Sequence, residues 1–339
     1  MLNSRLRQEI QENGPLSQSR FMELSLQTYY ATHDPLKDFT TAPEVSQMFG
    51  ELIGLWALDL YEKLGSSPHI MLVELGPGKG TLMADIVRVA KVSSAFSNAL
   101  EVHLVEISPL LKEIQKKFIH HPHVMWHENF EDIQASPNPI IVIANEFFDA
   151  LPTNCYERKD NKVYERCIGM KEEKFSFVFN PLREEQGPNL LWEESPLACD
   201  LMQTINRRLL KQSGAFLCID YGYEKGTGDT LQALFDGKPS HPLSHVGDSD
   251  MTCHVNFGQF KQVSTARGLG MMGPLPQGHF LKNLGLDKRL EMLKRHNPSQ
   301  RATLEAAYTR LTHPQQMGTL FKAMTVFSPL SLTPLGFEP

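Results

Sequence analysis

The chain has 339 residues, 41% of them hydrophobic and 21% charged, with a formal net charge of −6. That is an ordinary globular composition, long enough for one elaborated domain or two. The acidic balance argues against an extended nucleic-acid surface, and no apolar run approaches the roughly 20 residues that span a bilayer.

Five scattered cysteines without a C-x-x-C pair point to a reducing compartment and no zinc site. His120-His121-Pro-His123 reads as a solvated turn, so no metal is expected. Arg5 and Arg7 mix with Glu9 and Glu12 and no apolar stretch follows. That predicts neither a secretory signal nor a mitochondrial presequence, and a cytoplasmic protein.

Leu2, Leu6 and Ile10 predict an amphipathic helix over 2–12, broken by Gly14-Pro15, and a second helix from Ser17 to Tyr29. A polar, aromatic loop follows from Tyr29 to Asp38. Thr41-x-x-Glu44, with Pro43 in the first turn, fits a capping box that opens a helix running to about Leu64, with Gly65 as its stop. A second reading of the same residues sets that helix start over a cofactor carboxylate.

Ile70 to Val73 is a short apolar run bounded by Pro68 and Gly76, a buried strand. Three glycines follow, Gly76, Gly78 and Gly80, around Pro77, and Thr81 to Val92 has helical spacing. Strand, glycine loop and helix open a doubly wound α/β sheet, whose ligand lies over the carboxyl end of the first strand. The spacing is G-x-G-x-G, not the dinucleotide fingerprint, and no Lys-Ser or Lys-Thr makes it a phosphate loop. Glu74 precedes the first glycine, and strand 101–106 ends in Glu106, 30 residues after Gly76. This pattern resembles class I methyltransferases that use S-adenosylmethionine (SAM). The resemblance implies that Glu106 binds ribose hydroxyls and Glu74 faces the ligand's positive charge.

The rhythm then repeats. A helix is expected from Pro109 to Ile119, a strand over Val124–Trp126 and a loop from His127 to Asp132. That loop stands where the resemblance to class I methyltransferases places residues beside the adenine, which makes Asn129 and Phe130 the candidates there. The continuous apolar run Pro139–Ala144 is a central parallel strand. It ends in Asn145-Glu-Phe-Phe-Asp-Ala-Leu-Pro152, which sets Asn145, Glu146 and Asp149 at the ligand-binding edge. Carboxylates there can hold a guanidinium bidentately, align one nitrogen with a sulfonium methyl and relieve the departing proton. The alternative is a helix cap by Asn145 or Asp149 and a solvated Glu146.

Residues 153–195 alternate charged and apolar side chains, a β insertion. Helix Ala198–Lys211 and strand Ala215–Ile219 resume the pattern, and a long loop is expected from Gly226 to Asp250. Next come a helix from Phe257 to Arg267, a strand over Met271–Leu275, helices from Gln277 to about Leu311, and an antiparallel strand Phe321–Phe327. His254 reads either as a core histidine or as a group lining the site.

Several stretches in order resemble the MidA family: Gly14-Pro-Leu-Ser17, Phe39-Thr-Thr-Ala-Pro-Glu-Val-Ser46, Val73-Glu-Leu-Gly-Pro-Gly-Lys-Gly-Thr81, Leu104-Val-Glu-Ile-Ser-Pro109, Ala144-Asn-Glu-Phe-Phe-Asp-Ala-Leu-Pro152, Ile219-Asp-Tyr-Gly-Tyr223, Gly228-Asp-Thr-Leu231, Asp250-Met-Thr-Cys-His254 and Met317-Gly-Thr-Leu-Phe-Lys322. Mitochondrial members of that family symmetrically dimethylate an arginine of a respiratory complex I (NADH dehydrogenase) subunit during assembly.

The resemblance implies a Rossmann-like α/β fold with a seven-stranded, mostly parallel sheet. Residues 1–66 would be a helical cap and 67–339 the methyltransferase domain, with insertions at 153–195 and 276–318. It implies SAM as cofactor, held by Thr41, Pro43, Glu74, Gly76, Pro77, Gly78, Gly80, Glu106, Asn129 and Phe130, with Asn145, Glu146 and Asp149 catalytic. The expected partner is an arginine-bearing protein, and a homodimer is compatible with it. Tyr29 and Tyr30 stand where the family has a Y-G-Y-Y-like stretch, from which Ala31-Thr-His-Asp34 departs. Two other functions share the scaffold: methyl transfer to a small molecule or another residue, and a non-catalytic assembly factor.

Overall fold

The computed structural model of the protein describes residues 2–32, 41–226, 228–265 and 269–338. The loop expected to reach Asp38, together with Phe39 and Thr40, and the helix end at Arg267 fall outside them.

The chain forms two units whose segments interleave. One comprises 40–147, 201–222 and 257–339; the other comprises 1–39, 148–200 and 223–256. This differs from a linear division at residue 66. The long helix before the glycine loop belongs with the main sheet, whereas residues 1–39 share a unit with the β insertion.

The first unit begins with α1 (Ala42–Val45) and α2 (Gln47–Lys63), where a single helix and a Thr41/Glu44 capping box were expected. Thr41 makes no side-chain cap. Ser46 is extended, at φ −162°, and its hydroxyl accepts the Met48 N–H of the new helix. Ser46 is the working cap, and the local competition between cap and helix interior splits the element there. Gly65, at φ +88°, makes the expected stop.

The sheet strands are β1 (Ile70–Leu75), β2 (Leu100–Val105), β3 (Val124–His127), β4 (Ile140–Asn145), β5 (Gly214–Tyr223), β6 (Gly270–Pro276) and β7 (Phe321–Ser328). Helices α3 (Thr81–Ala90), α4 (Pro109–Phe118) and α5 (Pro196–Gln212) connect them. The order is β6-β7-β5-β4-β1-β2-β3. Pairing is parallel from β5 to β3, and β7 runs antiparallel to both neighbours. Among the described residues the sheet counts eight strands, seven of them on this continuous path, against the seven expected. Every residue of β1 and β4 is buried, as befits strands covered on both faces. The core gathers Phe49, Trp56, Ile86, Leu104, Ile143 and Phe280.

The second unit packs helices Leu2–Asn13 and Gln18–Thr32 with a five-stranded antiparallel sheet. Four of its strands lie within 154–194, and Leu16–Ser17 is the fifth. Two hairpins turn on Asp160-Asn161 and Glu172-Glu173, all four at positive φ. The long loop expected over 226–250 instead contains strands Gln232–Phe235 and Lys238–Ser240, paired through a turn at Asp236-Gly237. An Asp-Gly pair is a hairpin signal that the Gly, Pro and His content of the stretch obscures. Among the described residues no helix is long and apolar enough to cross a membrane.

Candidate active site

The first unit places the glycine loop at the carboxyl end of β1. Gly76, Gly78 and Gly80 all have positive φ (+62°, +53° and +86°), a region open to glycine and costly for a branched residue. Gly76 donates to Val105 O at 3.0 Å and Gly80 to Pro77 O at 2.8 Å, so the loop is pinned at both ends. A Cβ on Gly76 would lie 2.7 Å from the Phe147 ring, so backbone and ring are already in contact.

Glu74 is buried beneath this loop. Burial and then the nearby Glu106 push its carboxyl up to about 8, against a hydrogen bond from the Met83 amide. Its Oε2 has no hydrogen-bond partner among the described residues. Glu106, after β2, accepts Ser108 N–H at 2.8 Å and Gln115 Nε2 at 3.1 Å. Burial raises its pKa as well.

Gln115 is a residue that sequence reasoning missed. Its amide also donates to Gly78 O at 2.8 Å, and its Oε1 accepts Trp126 Nε1 at 2.9 Å. One buried side chain thus orients the loop, the acid and a ring of β3. The available signal was a polar residue four places from Leu111 on the apolar face of α4. Ile107, also missed, is 58% exposed beside Glu106, apolar surface that a flat ring could cover.

At the end of β4, Asn145 is buried and Glu146 sits at φ +51°. A non-glycine residue held there costs of order 1–3 kcal/mol and persists only where its surroundings fix it. They do. Glu146 N–H donates to Ile219 O at 2.9 Å, and Phe147 N–H donates to the buried Asp220 at 3.1 Å. Glu146 Oε1 accepts Ala42 N–H at 2.8 Å and Asn145 Nδ2 at 3.3 Å. The amide at the start of α1 is therefore spent on Glu146 and not left for a ligand carboxylate. Asp220 was passed over in the sequence because it ends an ordinary-looking strand.

Thr41 and Pro43 lie at the start of α1, and Glu44 pairs with Lys79 of the glycine loop at 3.0 Å instead of closing a capping box. Asn129 and Phe130 form a local turn. Asn129 N–H and Nδ2 both donate to Asp132 (2.8 and 3.2 Å), and Phe130 is buried with the Arg208 guanidinium 5.7 Å from its ring centre.

Asp149 falls in the second unit, buried, with its backbone carbonyl accepting Cys253 N–H at 2.9 Å. His254 N–H donates to Thr230 Oγ1 there at 2.8 Å. Tyr29 is fully buried, and Tyr30 packs edge-on against it.

The open glycine turn, the acid on the second strand, and a buried carboxylate with an unpartnered oxygen together fit a nucleoside ligand carrying positive charge. This fold and site define a SAM-dependent methyltransferase of class I. Residues 52–275 match the family model described as "Putative S-adenosyl-L-methionine-dependent methyltransferase". The chain is 32% identical to Protein arginine methyltransferase NDUFAF7 homolog, mitochondrial, of Drosophila melanogaster, over 96% of this chain and 84% of that one. It is 30% identical to the Homo sapiens protein arginine methyltransferase NDUFAF7, mitochondrial, over 92% and 80%. A superfamily member from Burkholderia thailandensis, bound to S-adenosyl-homocysteine, shares the fold at a TM-score of 0.83, with 21% identity over 99% of this chain and 93% of that one. The chain belongs to the MidA family of SAM-dependent methyltransferases, and SAM is its cofactor.

Proposed function

We propose that the protein transfers methyl groups from SAM to an arginine side chain of a protein acceptor. The observation that carries this reading is Glu146, a carboxylate in a strained backbone at the carboxyl end of β4, anchored by Ile219 and flanked by Asp220. Two relatives named as protein arginine methyltransferases, alike over nearly the whole chain, support it.

SAM supplies an electrophilic methyl on a sulfonium. The chain's own residues do the rest. Glu74 counters the ligand's positive charge, and Glu106 accepts from its ribose hydroxyls while Gln115 fixes the carboxylate. Thr41 and Pro43 stand over the ligand, with Asn129, Phe130 and Pro77 as further contacts. Glu146 holds the guanidinium in one orientation and draws charge from the nitrogen that reacts. Asn145 keeps Glu146 in place through its amide. Asp149 is proposed to take up the proton that leaves. The acceptor we propose is a subunit of the respiratory NADH dehydrogenase, on the strength of the family resemblance.

The test uses purified protein, isotopically labelled SAM and an extract of cells lacking this gene. Label recovered as methylarginine after acid hydrolysis supports the reading. Label confined to small molecules or to other residues overturns it.

A further inference from the structure

Helix α1 is four residues long, too short to hold its own shape in water. Its place is set by what grips it. At one end Ala42 N–H donates to Glu146 at 2.8 Å. At the other Glu44 Oε1 meets Lys79 Nζ at 3.0 Å, and Lys79 lies between Gly78 and Gly80. The Lys79 and Glu44 side chains are 33% and 17% exposed, enough shelter for the pair to resist screening in part. Lys79 has no local signature in the sequence, and the Glu44 side chain is engaged by Lys79 rather than in a helix cap. The ion pair ties α1 to the glycine loop itself, two segments 35 positions apart.

We infer that α1 is a clasp on the glycine loop, and that Lys79 and Glu44 are positioning residues whose ion pair slows release of the nucleoside ligand. The inference rests on the cofactor of the family and not on the acceptor proposed above. Lys79 need not touch the ligand. It holds α1, and α1 with the glycine loop holds the cofactor. Glu146 anchors the other end, so the end of β4 and the cofactor loop share one short element.

The experiment measures the Kd and dissociation rate of S-adenosylhomocysteine on the full chain, by calorimetry and stopped flow. The variants are Lys79→Met, Glu44→Gln and the charge exchange Lys79→Glu with Glu44→Lys. Each single change is expected to weaken binding about three- to fivefold, mainly through faster release, the size of a partly exposed ion pair. The exchange should recover the wild-type values to within about twofold. Unfolding temperatures of the unliganded variants serve as control, because a merely structural pair would lower them without altering release. Wild-type affinity and release in Lys79→Met overturn the inference. So does a weakened Lys79→Met that the folded exchange variant fails to rescue, which would put Lys79 on the ligand itself.

Discussion

Glu74 shows how much one side chain can be asked to do. Its carboxyl is pushed up to about 8 in the folded chain, against an ordinary 4.5. Between those values the folded state keeps a proton that the unfolded chain has released, so stability falls as pH rises through the window. The loss is at most about 1.4 kcal/mol per pH unit. Denaturant unfolding at pH 5, 6.5 and 8 should show unliganded wild type losing ground to Glu74→Gln; parallel pH profiles would mean that Glu74 is ionised in the fold.

Gly78, at φ +53°, predicts that Gly78→Val loses S-adenosylhomocysteine binding by at least about tenfold, through backbone strain and a branched side chain in the turn. Calorimetry reads this directly, and unchanged affinity would move the cofactor elsewhere. For Asp149→Asn the expected outcome is near-normal cofactor binding with methyl transfer reduced about a hundredfold or more, checked by label incorporation. Transfer at the wild-type rate would remove Asp149 from the chemistry.

Glu51 ties α2 to α3 and to the helix Leu286–His296, which carries Arg289. It lies on α2, accepts Arg289 at 2.7 and 2.9 Å, and also accepts Arg88 of α3 at 3.0 Å and Gln47 at 2.7 Å. Burial pushes its carboxyl up, but these bonds outweigh burial and hold it below the ordinary range. Its contribution is present above the ordinary carboxylate pKa and is lost as pH falls through the depressed value. Glu51→Ala should cost about 2–3 kcal/mol, less than a fully buried pair because both arginines are partly exposed. Chemical denaturation at pH 7 checks this, and a change under about 0.5 kcal/mol would mean the network is decorative.

Much of the element pattern could be read in advance, for identifiable reasons. β1 and β4 are uninterrupted apolar runs, and the helix after the glycine loop has a clean helical period. What escaped was decided locally. Ser46 caps a helix inside a stretch where Thr41 offered a rival cap, and Asp236-Gly237 makes a hairpin in a segment rich in loop-forming residues. Among the candidate site residues, the glycines and the acids at a strand edge stand out in the sequence by residue type and spacing. Gln115 and Asp220 do not, because their role lies in what they hold in place, and that depends on packing between distant segments. The pairing of Ala42 with Glu146 joins residues 104 positions apart and has no local signature.

For the molecule as a whole, the acceptor we propose is a protein arginine engaged by Glu146. The most direct measurement compares wild type with Glu146→Gln, scoring transfer of labelled methyl to protein arginine alongside S-adenosylhomocysteine affinity. The wild type should yield methylarginine, and the variant should lose about a hundredfold or more in transfer with affinity retained within severalfold. Equal transfer by both proteins, or no methylarginine from the wild type while it methylates another acceptor, would contradict the proposal.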